Sequence, residues 1–402
     1  MTNFLIKNIK HKNYKLYLLV IFFVWIFSLL IYFFFSELIR GGALENGVKL
    51  GNDSFFYLGE AQKIINGDIS ILENKSKAGY LLFLIPFLHF ELPLYYIVLF
   101  NIILTFISAL CLYKITTKYF CKSSGLICVM LFLFYFPLQI SNFYILTETL
   151  FINISLMLTF FIVFFKKKYL SIILLLLLTL ISIRPNGILF LFSLIITFFL
   201  FFIEKKKYLY LFLYSTIILI LSFPIINFLN IYLHDLNLIN SMDKGIIWGY
   251  SFETKQACKA SCLGIELINN DYSNTLLSFI QFIFANFFEY FKIFLYKIFW
   301  LIIRARPYYS DLHNIYLLFF SVILYMPFFY GFVKKPKNLF SINYINFYIL
   351  LSIILVGLTF ADWSGRFSLP ILPFIMIFSS YGILTFIKKI LNMVSQKRDN
   401  AS

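Results

Sequence analysis

Long apolar stretches, separated by short polar segments rich in lysine, run along almost the whole chain. A helix needs about 20 apolar residues to cross a bilayer, and bilayer thinning or flanking lysines accommodate shorter ones. The pattern therefore predicts an all-α polytopic membrane protein with about ten transmembrane helices in a single domain, 1–402. The predicted spans are 16–36, 92–113, 124–142, 145–165, 169–183, 187–203, 208–229, 314–333, 343–360 and 367–387.

Two further apolar segments do not fit a spanning helix. Segment 79–90 is too short to span alone, and we interpret it as re-entrant or interfacial. Segment 286–303 is interrupted by charged residues, and a span there would move the lysines of K-K-P-K to the opposite face. We predict that it forms an amphipathic helix lying in the interface. Two large loops result, at 37–91 and 230–313.

Charge then orients the bundle. The composition, 61% hydrophobic and 13% charged, excludes a soluble enzyme and a disordered protein. Alternate span ends carry 20 of the 34 basic residues and, of the 18 acids, only Glu204 and Asp399. The positive-inside rule makes that face cytoplasmic, so we predict a multi-pass protein of the inner membrane with both termini in the cytoplasm. The positive charge reflects topology and contact with anionic lipids, and nucleic-acid binding is not predicted.

The two cysteines of C-K-A-S-C, Cys258 and Cys262, fall in the second outer loop. That compartment permits a disulfide, but closing so short a loop strains the bond, so the pairing stays open. One pair without further Cys or His is a poor zinc site.

Asp53 is the first candidate for chemistry. It lies in the first outer loop, before a run in which five apolar positions are predicted to form one helical face: Phe56, Leu58, Ala61, Ile64 and Ile65. A carboxylate there could act as a general base or hold a metal ion. Alternatively, Asn52 or Asp53 caps this helix.

Glu148 is the second candidate, in L-T-E-T-L-F at the outer end of the fourth span. An ionisable residue at that depth is costly and indicates function. The alternative is that Glu148 caps its helix and interacts favourably with the macrodipole.

Three cations lie at outer span boundaries, against the positive-inside bias: Lys77, Arg184 and Arg366. Because a guanidinium can bind two phosphate oxygens at once, they indicate a phosphate at headgroup level. Snorkelling to lipid headgroups is the alternative for any one of them. Arg304 and Arg306 are weaker candidates.

An ordered set of motifs runs through most of the chain: D-S-F-F-Y-L-G-E-A-Q, K-A-G-Y-L-L-F, L-T-E-T-L-F, I-R-P-N-G and G-R-F-S-L-P. This set resembles the polytopic GT-C glycosyltransferases, especially the group related to protein O-mannosyltransferases and lipid A aminoarabinose transferases. No single motif is specific, and the order carries the resemblance.

The resemblance implies a GT-C-like fold and sugar transfer from a polyprenyl-phosphate donor to a lipid, glycan or protein acceptor at the periplasmic face. It makes Asp53 the catalytic base. Substrate contacts are implied for Glu148, Tyr57, Lys77, Tyr80, Arg184 and Arg366. No cofactor is firmly implied, and a divalent cation stays an open alternative.

The chain departs from the family at two places. Ser54 follows Asp53 where many relatives have a second acid, and K-A-G-Y stands where many have two prolines, which loosens the placement of Lys77. Two other classes remain as alternatives: a lipid-linked polysaccharide polymerase or ligase, and a transporter or flippase. A carboxylate in the first loop favours the glycosyltransferase over the first. Ionisable groups at the ends of spans, rather than at mid-membrane, disfavour the second.

Overall fold

In the part of the chain that its computed structural model describes, the regular structure is helical apart from one minimal strand pair. The structure describes residues 15–33, 47–72, 77–235, 248–249, 265, 267–268, 275–307, 309–334, 340–359, 361–362 and 365–399. The first eight helices are α1 (Lys15–Phe33), α2 (Asn52–Ile65), α3 (Ala78–His89), α4 (Tyr95–Tyr119), α5 (Lys122–Phe134), α6 (Phe136–Gln139), α7 (Thr147–Val163) and α8 (Leu170–Ile183).

The second half of the chain contributes seven more described helices: α9 (Ile188–Glu204), α10 (Tyr208–Asp235), α11 (Leu276–Ala285), α12 (Phe287–Ile303), α13 (Asp311–Val333), α14 (Phe340–Leu358) and α15 (Leu372–Asp399). Single 3-10 turns lie at Ile69–Leu72, Ile140–Phe143, Lys167–Tyr169, Pro185–Gly187 and Arg366–Ser368. The strands β1 (Trp248–Gly249) and β2 (Ala361–Asp362) pair in parallel.

Six helical segments in the described part of the chain are long and apolar enough to cross a membrane: Lys15–Phe33, Tyr95–Tyr119, Pro185–Glu204, Asp311–Val333, Phe340–Leu358 and Leu372–Met393. The number rises to eight if two bent pairs each count as one span. These are α5 with Phe136–Phe143, bent by 66°, and α11 with α12, bent by 104°. The protein is therefore a multi-pass, all-helical membrane protein.

The remaining predicted spans also coincide with helices. Segments 145–165 and 169–183 correspond to α7 and α8, which have 17 and 14 residues. Segment 208–229 lies within α10. Segment 79–90 is the 12-residue α3, and 286–303 is α12. Their placement relative to the membrane stays a prediction.

The helices group into two compact units, a subdivision that the sequence did not predict. The first unit contains 1–187, 324–337 and 372–402, and the second contains 188–323 and 338–371. In the first, α4 packs against α5 and α7, and α3 packs against α2 and α8. In the second, α14 packs against α9 and α12.

Buried polar side chains link three elements of the first unit. Thr105 of α4 donates to the Asn142 carbonyl oxygen at 2.9 Å and accepts from the Asn153 amide of α7 at 3.2 Å. The Asn142 amide in turn donates to Gln139 at 3.1 Å. Hydrogen bonds between membrane helices contribute about 0.6 kcal/mol each, so this network helps hold α7 against α4.

Candidate functional site

Helix α2 places Asp53 in its first turn, where the side chain is half-buried. The helix is capped by Gly51, whose N–H donates to the Ser54 hydroxyl at 3.2 Å. The alternative that Asn52 or Asp53 is the N-cap is therefore wrong, because both residues already belong to the helix. Asp53 instead sits where a negative charge interacts favourably with the positive end of the helix.

The buried face of α2 differs from the predicted one. It consists of Ser54, Tyr57, Glu60 and Ala61, while Phe55 and Phe56 are exposed. Leu58, Ile64 and Ile65, which were also predicted for the apolar face, are only partly buried. Large apolar side chains at a membrane surface can face lipid at no cost, so their periodicity does not mark the side that packs against the bundle.

Tyr57 contacts two other residues that the resemblance selects. Its hydroxyl accepts a hydrogen bond from the Lys77 ammonium at 2.7 Å, and its ring lies edge-on to the Tyr80 ring, with centroids 5.1 Å apart. Lys77 precedes α3, and Tyr80 lies in the first turn of that helix. Two motifs separated by 20 positions therefore meet through side chains.

Glu148 and Arg184 form a buried ion pair. The Arg184 Nη1 lies 3.2 Å from the Glu148 Oε1, and their side chains are only 10% and 4% exposed. Glu148 is in the first turn of α7, whose N-cap is Leu146, so Glu148 does not cap the helix. Arg184 ends α8 and also lies over the Phe151 ring, 5.9 Å from its centroid. The sequence predicted separate roles for these two charges, and the structure couples them.

Tyr80 connects the tyrosines to this ion pair. Burial, together with the nearby Glu148 carboxylate and Tyr57, raises the pKa of the Tyr80 hydroxyl well above its usual value. The hydroxyl is therefore a neutral donor. It is fully enclosed and has no hydrogen-bond partner among the residues that the structure describes. A buried donor without a partner is costly, which indicates a role other than stability.

A glycine next to Tyr80 permits this arrangement. A Cβ added at Gly79 would lie 2.1 Å from the Ser182 Oγ and 2.9 Å from the Ser182 carbonyl carbon. Helices α3 and α8 therefore cross in direct contact just before Arg184. Any larger residue at position 79 would push the two helices apart.

We call Tyr57, Lys77, Tyr80, Glu148 and Arg184 the loop-1 cluster. Asp53 precedes Tyr57 by four residues, so it lies one helical turn away on the same side of α2. The structure therefore brings six of the seven predicted site residues into one region of the first unit.

Lys49 is a buried cation near the loop-1 cluster that the sequence analysis missed. Its side chain is 5% exposed, and its backbone N–H donates to the Phe143 carbonyl at 2.8 Å. Lys49 also forms an isolated parallel β-bridge with Tyr144, which holds the segment before α2 beside the segment before α7. Lys49 is one of nine lysines that the charge pattern places on the outer face, so no signal in the sequence singled it out.

Arg366, the seventh predicted residue, belongs to the second unit. It is half-buried and opens the 3-10 turn Arg366–Ser368. The preceding Gly365 has φ of 71° and accepts a hydrogen bond from the Arg304 guanidinium at 3.1 Å. Arg306 is buried and donates to the Trp300 and Ala305 carbonyls at 3.1 and 2.9 Å.

Lys297 is a further buried cation of the second unit. From the sequence it was only one of the charged residues that interrupt segment 286–303. Its side chain is fully buried, and its ammonium donates to the Thr359 carbonyl at 2.5 Å. The buried positions of α12 are Tyr290, Ile293, Lys297 and Leu301, spaced by three and four residues. That spacing would have placed Lys297 on the inner face.

Two other predictions concern thiols and metals. Cys111, Cys121 and Cys128 are free, whereas Cys258 and Cys262 lie outside the described residues. Within the described ranges, no three His, Cys, Asp or Glu side chains lie close enough together to hold a metal ion.

Comparison with known proteins gives no relative from which a function could be transferred. The sequence matches no family model, and neither a curated protein nor a solved structure matches it. Its function is therefore argued from the residues themselves.

Proposed function

We propose that the protein is a GT-C-like glycosyltransferase with about ten spans. It transfers a sugar from a polyprenyl-phosphate donor to an acceptor at the periplasmic face of the inner membrane. The observation that carries the proposal is the position of Asp53, one helical turn before Tyr57 and its hydrogen bond to Lys77. A base, a cation and phenolic groups then occur together, which is what this displacement requires.

The proposed reaction is a direct displacement at the anomeric carbon. Asp53 takes the proton of the acceptor hydroxyl or amine as that oxygen or nitrogen attacks. The bond between the anomeric carbon and the phosphate oxygen breaks, and the polyprenyl phosphate leaves with the electron pair. Cations at headgroup level stabilise its developing charge, because charge accumulates on the leaving oxygen in the transition state.

We propose different roles for the predicted cations. Lys77 is half-buried at the start of α3 and is our first candidate for the phosphate. Arg184 is engaged by Glu148 in the structure, so we propose that it positions that carboxylate and contacts phosphate only secondarily. Arg366 stays a proposed phosphate contact. Glu148 and the Tyr80 hydroxyl are proposed to orient the sugar.

The experiment is sugar transfer in proteoliposomes with an Asp53→Asn variant. Asparagine keeps the shape and removes the base, so turnover should fall by roughly a hundredfold or more. The control is Asp68→Asn, which removes one charge from an exposed position of the same loop and should leave turnover unchanged. Near wild-type turnover by Asp53→Asn would exclude Asp53 as the base and direct attention to Glu148.

A further inference from the structure

The lysine-rich end of α9 borders a cavity in the second unit that the proposed transferase activity does not use. The cavity has a volume of about 460 Å³. It is lined by Thr197, Phe201, Glu204 and Lys205 at the end of α9, and by Phe340 and Asn343 in the first turn of α14. The spacings of four and three residues put each set on one side of its helix.

The charged and polar groups at the cavity can be reached from outside the protein: Glu204 and Lys205 are exposed, and Asn343 is half-buried. Among the residues that the structure describes, Glu204 and Lys205 form no ion pair, and the Asn343 amide makes no hydrogen bond. Glu204 stays unpaired although three lysines follow it directly in the sequence. A carboxylate, an ammonium and an amide therefore border the same space, where a ligand can reach all three.

The cavity changes from polar to apolar with depth. Glu204 is the last residue of α9, and Thr197 precedes it by seven residues, or roughly 10 Å along the axis. The Phe201 and Phe340 rings, with centroids 6.0 Å apart, lie between these levels. The Thr197 hydroxyl is satisfied by the Ser193 carbonyl of its own helix, so the deep end presents no polar group. This gradient matches a lipid, with its headgroup at the mouth and its first acyl methylenes below.

We propose that this cavity binds the headgroup of a zwitterionic phospholipid carrying a primary ammonium, a phosphatidylethanolamine. The Glu204 carboxylate and the Asn343 carbonyl oxygen accept from the ammonium, and the Lys205 ammonium contacts the phosphate. A purely anionic lipid has no positively charged group that could bind the Glu204 carboxylate. A choline headgroup carries a positive charge but has no N–H to donate.

The test is native mass spectrometry of the purified full-length protein, titrated in detergent with palmitoyl-oleoyl phosphatidylethanolamine, phosphatidylglycerol or phosphatidylcholine. Wild-type protein should bind one phosphatidylethanolamine with an affinity about tenfold or more above that for the other two lipids. Glu204→Gln and Asn343→Leu should each lower that affinity about tenfold or more and abolish the preference.

The matched control is Glu91→Gln, which removes the same charge from an exposed turn of the first unit. It should bind phosphatidylethanolamine as the wild type does. Retention of the preference in Glu204→Gln, or equal binding of phosphatidylglycerol, would overturn the proposal in favour of nonspecific attraction to lysines. Displacement of the lipid by an equal concentration of free phosphoethanolamine would show that the site takes a soluble zwitterion and would likewise overturn it.

Discussion

The buried pair of Glu148 and Arg184 gives the sharpest prediction about stability. We expect Glu148→Gln and Arg184→Met to destabilise the protein strongly when made singly. The double variant should recover most of the loss. The reason is that each single change leaves one charge buried without its partner, whereas the double change removes both charges.

The magnitude follows from the geometry. Unit charges 3.2 Å apart attract by about 5 kcal/mol at an effective dielectric constant of about 20. Desolvation offsets part of this attraction, and breaking such a buried pair costs about 3–5 kcal/mol. We therefore expect each single variant to lose about that much free energy of unfolding, with a coupling energy of at least about 2 kcal/mol in the double-mutant cycle.

The assay is reversible unfolding of purified protein by titration with sodium dodecyl sulfate. The control cycle is Glu289→Gln with Lys292→Met, an ion pair at 2.9 Å whose side chains are 45% and 58% exposed. Solvent screening should reduce its coupling to below about 0.5 kcal/mol. Additive effects at Glu148 and Arg184, or single variants as stable as the wild type, would refute the buried pair.

Three further predictions test the surroundings of the loop-1 cluster and the topology. Gly79→Ala should lower the free energy of unfolding in the sodium dodecyl sulfate titration and reduce turnover, because its Cβ meets the α8 backbone. Gly59→Ala, with nothing within 4 Å of its Cβ, should be neutral or stabilising in the same titration. Tyr80→Phe should leave the free energy of unfolding unchanged or raise it, because it removes an unsatisfied buried hydroxyl. Sugar transfer by this variant should be slower. Unaltered turnover would mean that the hydroxyl does not contact the substrate. In a cysteine-free background, a membrane-impermeant reagent applied from outside should label Asp68→Cys and not Lys206→Cys, and the reverse labelling would invert the orientation.

Much of the helical framework was predictable, because runs of apolar residues mark helices in a membrane protein directly. Segments predicted as spans correspond to helices in the structure from α1 to α15. The bend of 66° after α5 was not predicted. Phe134 and Phe136 continue the apolar run on both sides of the bend, so hydropathy alone gave no signal for it.

The sequence selected the residues of the candidate site one at a time, and it did not predict which of them contact each other. Charges at span ends identified Glu148 and Arg184 one by one, and neither position indicates the other because they lie 36 positions apart on different helices. Tyr57 was not among the positions predicted for the apolar face, whereas it belongs to the buried one. Tertiary packing decides both outcomes, and a periodic pattern in a lipid-exposed helix does not report it.

The most direct test of the proposed function uses cells whose only copy of the protein carries Asp53→Asn, with Asp68→Asn cells for comparison. Lipids are extracted and analysed by mass spectrometry. The proposal predicts that a polyprenyl phosphate bearing the donor sugar accumulates in the Asp53→Asn cells. In the Asp68→Asn cells, its amount should equal that of the wild type. Accumulation of long lipid-linked polysaccharide would instead identify a polymerase or ligase substrate. A lipid-linked sugar pool identical to that of wild-type cells would contradict transfer from such a donor altogether.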